Sequence, residues 1–129
     1  MGLVGAMISS YPKAGQTYNH PMYEPFWAAA EELNMPISLH VTTNRPGAVQ
    51  VVIDGEIAQT GADRCNHDYF VRQCLGHIVF AGVLERYPNL NIVSAEHELG
   101  WIPFFIGRMD VTYKAVSYTH LTLPTNREV

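Results

Sequence analysis

Cysteine and basic residues are scarce in this sequence, and each shortage excludes a class of protein. The chain of 129 residues contains two cysteines, Cys65 and Cys74. They are too few for a disulfide scaffold and their spacing matches no metal or redox motif, so we interpret them as reduced structural thiols. Eight Lys and Arg against 12 Asp and Glu give a net charge of −4 without a basic stripe, which argues against a nucleic-acid partner.

Long apolar runs are also missing. No run approaches the roughly 20 residues that cross a bilayer, and the segment from Met1 to Ser10 lacks the basic start and long apolar stretch of a signal peptide. The hydrophobic share of 47% suits a globular core, and the length suits one domain. We therefore expect a cytoplasmic globular protein with no membrane partner.

The stretch from Leu90 to Asp110 predicts a strand, a turn and a helix in succession. We expect a buried strand over Leu90–Ala95, with His97 just beyond its carboxyl edge. Gly100 provides the turn and a helix begins near Pro103, because proline is tolerated in the first turn of a helix. The predicted core-facing positions of this helix are Ile102, Phe105, Ile106 and Met109. A histidine at the exit of a buried parallel strand lies where α/β folds carry their chemistry.

A second strand-and-histidine unit occurs earlier in the chain. Pro36 ends a helix, and Ile37–Thr42 has the alternation of a strand. Its odd-numbered residues are apolar and predicted to face helices, whereas the even-numbered residues form a polar face that suits the mouth of a barrel. His40 lies on that polar face, and its position alone fits a functional residue and a hydrogen-bonded core histidine equally well.

The other segments alternate between helix and strand patterns. In order, we predict a strand at Gly2–Ser10, a loop at Tyr11–His20, a helix at Pro21–Asn34, a long connection at Thr43–Asp63 with a short strand or helical turn at Val49–Ile53, and a helix at Asp68–Tyr87. Gly76 and Gly82 weaken the helix Asp68–Tyr87 and allow either close packing or a break. Alternation of this kind predicts an α/β fold with a parallel sheet.

Several side chains have both a structural and a functional interpretation. Arg45 follows the strand of His40 and could hold a substrate carboxylate by a bidentate pair, with a solvated arginine as the alternative. His67 and His77 lie at the start of and inside the helix Asp68–Tyr87, and we interpret them as structural or surface residues. The aromatic side chains predicted to lie in the core are Tyr23, Phe26 and Trp27.

The segment Val116–Val129 differs from the rest of the chain. It has no helical period, and Thr and Leu alternate in it. The stretch VSYTHLTLPT resembles a translation of the transposon-end adapter used to prepare DNA sequencing libraries. We therefore interpret residues 1–115 as part of a native barrel domain and residues 116–129 as a non-native read-through tail, and we give His120 no functional weight. A native, β-prone C-terminus is the alternative.

Three separated blocks of this sequence resemble the amidohydrolase-related family, in the branch of aminocarboxymuconate semialdehyde and resorcylate decarboxylases. The blocks are YEPFWAAAEELNMPISLHV, GVLERYPNLNIVSAEH and GWIPFFIGRMD. They follow the order and spacing of that family, and the resemblance covers most of residues 2–114. It implies a partial (β/α)8 TIM-type barrel, roughly strands 4–6 with their helices. It also implies a divalent metal, most often zinc, at the C-terminal mouth of the barrel.

The resemblance assigns roles to the two strand-end histidines. His40 matches the metal-ligating histidine that ends the fifth strand of the family. His97 matches the histidine of the next strand, which acts in proton transfer near the metal-bound water. The spacing that follows this histidine in the decarboxylases is echoed by Pro103, Gly107 and Arg108. The sequence departs from the decarboxylase pattern at Glu98-Leu99, where the decarboxylases have glycines.

Part of the metal site of the family has no match in this sequence. No His-x-His pair occurs, and no aspartate lies at a strand end comparable to the last strand of the family. We expect the pair upstream of Met1 and the aspartate downstream of Ala115, since a full barrel takes about 250 residues. A fragment of this kind should bind metal weakly and show no measurable turnover. Homodimers are common in the family, so a dimeric parent protein stays open.

Three functions follow from these interpretations. The first is a metal-dependent carboxy-lyase that acts on a small aromatic or unsaturated carboxylic acid. The second is a metal-dependent hydrolase of a cyclic amide, lactone or ester, which would use the same residues. In both, the metal activates water near neutral pH, and a neighbouring histidine serves as acid or base on a small-molecule substrate. The third is a non-catalytic α/β module with structural histidines.

Overall fold

The computed structural model describes residues 2–10, 12–13, 15–43, 51–53, 56–58 and 61–122. For residues 42, 51–53, 56–58 and 117–122 it describes the backbone alone. The chain forms two compact units, Met1–Glu98 and Leu99–Val129.

Three short parallel strands form a sheet in the first unit. β1 spans Ala6–Ser9, β2 spans Ile37–His40 and β5 spans Ile92–Ala95, and β2 lies between the other two. The register places Ser9, His40 and Ala95 side by side at the carboxyl ends of the strands. Parallel pairing with helices between the strands confirms the predicted α/β class.

The first helix is shorter than its sequence pattern predicts. Pro21–Tyr23 form a 3₁₀ turn, and α1 spans Glu24–Glu32. Pro25 lies in the first turn of α1, where its missing N–H is not needed. Asn34 follows the helix with a φ of +48°, a left-handed conformation that commonly ends helices.

The helix predicted over Asp68–Tyr87 consists of two helices. α3 spans Tyr69–Phe80 and α4 spans Val83–Arg86. Gly82 separates them with a φ of +68°, a conformation that glycine adopts without the steric cost of a Cβ. A short helix before α3, α2 at Gly61–Cys65, is not predicted by the sequence pattern.

The long connection after β2 contains a pair of strands. β3 spans Val51–Ile53 and β4 spans Glu56–Ala58, and the two pair antiparallel. Of the two alternatives for Val49–Ile53, the short strand is therefore confirmed over Val51–Ile53, and residues 49 and 50 lie outside the described residues. Its partner β4 is not predicted, because three residues are too few to show a strand period.

The core of the first unit collects side chains from β2, α1, α3 and α4. Ile37, Leu39, Trp27 and Ile78 are at most 1% exposed. The Trp27 ring meets those of Phe26 and Tyr18 edge-on, with centroids 4.9 and 5.8 Å apart, which are favourable aromatic geometries. Of the three aromatic residues predicted to lie in the core, Trp27 is buried, whereas Tyr23 and Phe26 are only half-buried. The other buried apolar residues are Tyr18, Ala30, Val71, Cys74, Val83 and Leu90.

The second unit contains one helix, α5, which spans Ile102–Thr122 and begins where the sequence predicts. With 21 residues it is longer than the helices found within Asp68–Tyr87. Of its predicted core-facing residues, Ile106 is 49% exposed because it lies at the edge of the apolar stripe. The helical backbone continues past Ala115 although the sequence there has no helical period. None of the helices in the described ranges is long and apolar enough to cross a membrane.

Candidate active site

His40 lies at the carboxyl end of β2, where a short turn closes over the strand. The sequence pattern predicts a strand to Thr42, but Val41–Thr43 form a 3₁₀ turn instead. The Thr43 hydroxyl donates a hydrogen bond to the His40 carbonyl at 2.6 Å and accepts one from the Ser10 amide at 3.0 Å. These bonds satisfy backbone groups that the sheet leaves unpaired, so His40 is the last residue of the strand.

His97 follows β5 and is flanked by two residues in the left-handed conformation. The φ angles of Glu96 and Glu98 are +62° and +60°. Residues with a Cβ rarely adopt this conformation, which costs about 1–2 kcal/mol each. The two turns direct His97 inward, where it is 2% exposed, while both glutamates stay exposed. Backbone strain of this kind is concentrated at functional sites.

The His97 ring is held by a residue of the preceding strand. Ser94 Oγ lies 3.0 Å from His97 Nδ1, a hydrogen-bonding distance. Since the bond engages Nδ1, exchange of a proton with a ligand would use Nε2.

Burial and neighbouring charge both act on His97. Burial lowers the pKa of His97, and positive charge on His40 and His67 lowers it further, whereas Asp68 and Glu96 act in the opposite direction. At neutral pH the ring is therefore neutral and able to accept a proton. This is the protonation state that a general base requires.

Glu96 connects the two strand ends. Its Oε2 lies 3.4 Å from His40 Nε2, and the two side chains are 69% and 20% exposed. Imidazole nitrogen and carboxylate oxygen are both zinc ligands, and a catalytic zinc takes about three protein ligands. Within the described ranges no three His, Cys, Asp or Glu side chains come close enough to hold a metal ion. His40 and Glu96 thus offer two adjacent donors, and a metal at this edge needs further ligands.

The structure brings together two of the three predicted site residues. His40 and His97 lie at the ends of neighbouring strands, and His40 is one of the groups that lower the pKa of His97. Arg45, predicted to bind a substrate carboxylate, lies outside the described residues. Sequence reasoning missed Glu96, although it stands directly beside His97. The interpretation of His67 as a structural or surface residue stays a prediction, and His67 is one of the groups that lower the pKa of His97.

Cys74 is a structural thiol, as predicted. Its Sγ donates a hydrogen bond to the carbonyl of Ser10, and burial raises the pKa of Cys74 to about 12. Only the thiolate is nucleophilic, so this cysteine is inert near neutral pH. It lines a cavity of about 150 Å³ that includes neither His40 nor His97 in its wall. The other lining residues are Ser10, Pro12, Thr17, Phe70, Gln73 and His77.

The sequence matches the family described as amidohydrolase over residues 1–125. It is also similar to proteins named gamma-resorcylate decarboxylase. The relative from Rhizobium sp. (strain MTP-10005) is 28% identical over 118 residues, which cover 85% of this chain and 34% of the relative. The relative from Rhodococcus jostii (strain RHA1) is 27% identical over 123 residues, which cover 85% of this chain and 35% of the relative. The chain thus spans about a third of the length of the curated relatives it matches.

A solved structure has the same fold. The crystal structure of an amidohydrolase from Mycobacterium avium subsp. paratuberculosis K-10 superposes with a TM-score of 0.59 at 18% identity. The superposition covers 93% of this chain and 31% of that one. At this identity the likeness concerns the fold alone.

Proposed function

Because the chain belongs to the amidohydrolase family, we propose that it supplies two strand-end histidines to the active site of a metal-dependent carboxy-lyase. The proposed substrate is a small aromatic carboxylic acid, with hydroxybenzoates as the first candidates, because the curated relatives are named gamma-resorcylate decarboxylases. The observation that carries the proposal is the juxtaposition of His40 and His97 at adjacent strand ends. In this proposal β1, β2 and β5 correspond to strands 4–6 of the barrel.

His40 would hold the metal, with Glu96 beside it, and zinc is the first candidate because both donors suit it. A bound metal of this kind supplies a positive charge for substrate oxygens and an acidified water. The further ligands that the site needs are not among the described residues. The proposed partner is a small-molecule substrate, and we propose neither a nucleic-acid partner nor a membrane partner. A dimeric parent, a cytoplasmic location and a non-native tail from Val116 stay predictions.

His97 would carry the proton in this reaction. Decarboxylation replaces the carboxylate on a ring carbon with hydrogen, so one proton must reach that carbon. Because its lowered pKa leaves His97 neutral at rest, the ring would first take up a proton from solvent, and the resulting imidazolium would be a good donor. As the proton reaches the carbon, the bond to the carboxylate breaks, its electrons return to the ring and CO2 leaves. The Ser94 contact at Nδ1 keeps the ring oriented, so Nε2 is the transferring atom.

The experiment uses the protein expressed from its native locus with gamma-resorcylate as substrate. CO2 release and bound metal are measured for the wild type, His40→Ala, His97→Asn and the control His77→Asn. His40→Ala should lose the metal and the activity. His97→Asn should keep the metal and lose activity by about 10²–10⁴-fold, since that is the usual contribution of a positioned acid or base. His77→Asn should behave like the wild type.

Different results reject different parts of the proposal. Hydrolysis of a lactone or cyclic amide without CO2 release from any hydroxybenzoate would reject the carboxy-lyase. Full metal content in His40→Ala would reject His40 as a ligand. Loss of metal in His97→Asn would make His97 a ligand rather than the proton carrier.

A further inference from the structure

His67 is placed by a turn whose hydrogen bonds do not involve its ring. It lies between α2 and α3, where the Asn66 amide donates to the Asp63 carbonyl at 3.1 Å and the Tyr69 amide donates to the Asn66 carbonyl at 3.0 Å. The following residue, Asp68, is fixed by an ion pair with Arg72 at 2.7 Å. The backbone on both sides of His67 is thus held by its neighbours.

One nitrogen of the His67 ring is buried and lacks a hydrogen-bond partner among the described residues. Its Nε2 is buried and has no hydrogen bond within the described part of the chain. Buried polar atoms are nearly always hydrogen-bonded, because an unpaired one loses its water without compensation. An orphaned atom in an otherwise well-bonded turn indicates that a ligand can provide the missing partner.

One other buried side-chain nitrogen lacks a partner in the same ranges, and its surroundings differ. Trp27 Nε1 belongs to the aromatic core, among the rings of Tyr18, Tyr23 and Phe26. His67 instead lies near ionisable groups of the candidate site, since its charge and that of Asp68 both reach His97. Of the two orphaned atoms, that of His67 is therefore the one near the candidate site.

We propose that His67 is a third imidazole of the active site and that its Nε2 hydrogen-bonds an oxygen of the substrate, first of all a carboxylate oxygen. The inference rests on the proposed carboxy-lyase function and names a contact that this function does not require. A hydroxybenzoate offers two kinds of oxygen for such a bond, the carboxylate and the ring hydroxyl.

The test measures binding to the metal-loaded protein from the native locus by calorimetry. Three probes separate the two kinds of oxygen: gamma-resorcylate has both, benzoate has only the carboxylate, and resorcinol has only hydroxyls. The variants are His67→Asn and His67→Gln, since the amide of glutamine reaches the position of Nε2 and that of asparagine does not. His77→Asn is the matched control on α3.

His67→Asn should weaken the binding of gamma-resorcylate and benzoate by about tenfold, the effect of one hydrogen bond to a charged group. His67→Gln should restore most of this loss, and His77→Asn should bind all probes like the wild type. A loss that appears with resorcinol but not with benzoate would support the same contact with the hydroxyl as its partner. The Tm of both His67 variants should stay near that of the wild type, because the ring has no structural bond to lose.

Three results would overturn the inference. The first is equal affinity of the wild type and His67→Asn for all three probes. The second is an equal loss of affinity in His67→Asn and His67→Gln together with a large drop in Tm, which would make His67 a structural residue. The third is a wild type that binds none of the probes; it would overturn the proposed substrate class itself, before any variant is compared.

Discussion

In the interior of the first unit, Trp27, Leu39 and Ile78 are fully buried among apolar neighbours. At the carboxyl edge of the sheet, only a few residues away, the buried residue is His97, and the backbone on either side of it is left-handed. The interior is stabilised by burial, which contributes roughly 1.5–3 kcal/mol for each large apolar side chain. The edge combines strained backbone with a buried imidazole, His97, whose pKa is lowered first by burial and then by the neighbouring His40 and His67.

This difference shows that the stability of the interior compensates for the strained backbone at the edge. A left-handed residue with a Cβ costs about 1–2 kcal/mol, which one buried side chain of the interior can offset. The groups at the edge are therefore held in positions that packing alone would not select. Such arrangements persist where the surrounding structure is strong enough to impose them.

Removing the largest side chain of the interior should produce the largest effect. Trp27→Ala should lower the free energy of unfolding by about 3–5 kcal/mol, since it removes a fully buried aromatic ring and leaves a cavity. Urea denaturation followed by circular dichroism measures the change. Leu33→Ala is the control, because Leu33 is 67% exposed and should change the free energy by no more than about 0.5 kcal/mol. Equal losses in the two variants would mean that Trp27 does not anchor the interior.

The interior is also the part that the sequence predicts well. Three parallel strands, the proline in the first turn of α1 and the aromatic core all follow from local patterns of apolar residues, proline and glycine. The errors concern boundaries and short elements. At Gly82, where the sequence left close packing and a break open, a left-handed glycine breaks the helix, and β2 ends at His40 because Thr43 bonds back to Ser10.

The candidate site is less predictable, because its contacts join residues far apart in the chain. Position at a strand end identifies His40 and His97, and the family resemblance adds their expected roles. Nothing in the local sequence indicates that Glu96 would contact His40 or that the charge of His67 would reach His97. These contacts depend on the register of β2 with β5 and on where the turn before α3 is placed.

The strain at the edge can be tested by glycine substitution. Glu98→Gly should raise the free energy of unfolding by up to about 1 kcal/mol, because relief of the left-handed strain exceeds the added entropy of the unfolded chain. Glu96→Gly should raise the free energy of unfolding by a smaller amount, since it also removes the carboxylate beside His40. Chemical denaturation at neutral pH measures both.

Glu32→Gly serves as the control, because Glu32 is an exposed residue at the end of α1 with ordinary helical backbone. It should lower the free energy of unfolding by roughly 0.5–1 kcal/mol. A loss of the same size in Glu98→Gly would show that Glu98 is not strained, and the contrast between edge and interior would then rest on electrostatics alone.

The smallest effect is expected at the exposed rim of the interior, where Glu24 of α1 connects to α4. The Arg86 guanidinium bonds to the Glu24 carboxylate, and the Tyr87 hydroxyl donates to its Oε2 at 2.9 Å. The bond with Arg86 is the main cause that lowers the pKa of Glu24, with the Tyr87 bond also contributing, and burial opposes both. The same contact raises the pKa of Arg86 and of Tyr87.

The sign of the pH dependence follows from this shift. Because the pKa of Glu24 is lower in the folded chain than the usual 4.5, its contribution to stability is complete above about pH 4.5 and is lost as the pH falls through the folded pKa. Glu24→Gln should therefore lower Tm by about 1–3 °C at pH 7, and the difference from the wild type should shrink below pH 4.5. Thermal unfolding at several pH values measures it, with Glu32→Gln as an exposed control on the same helix. A Tm difference between Glu24→Gln and the wild type that stays constant down to pH 2 would show that the effect of Glu24 does not depend on its charge. The rim would then be stabilised by packing, like the interior that it borders.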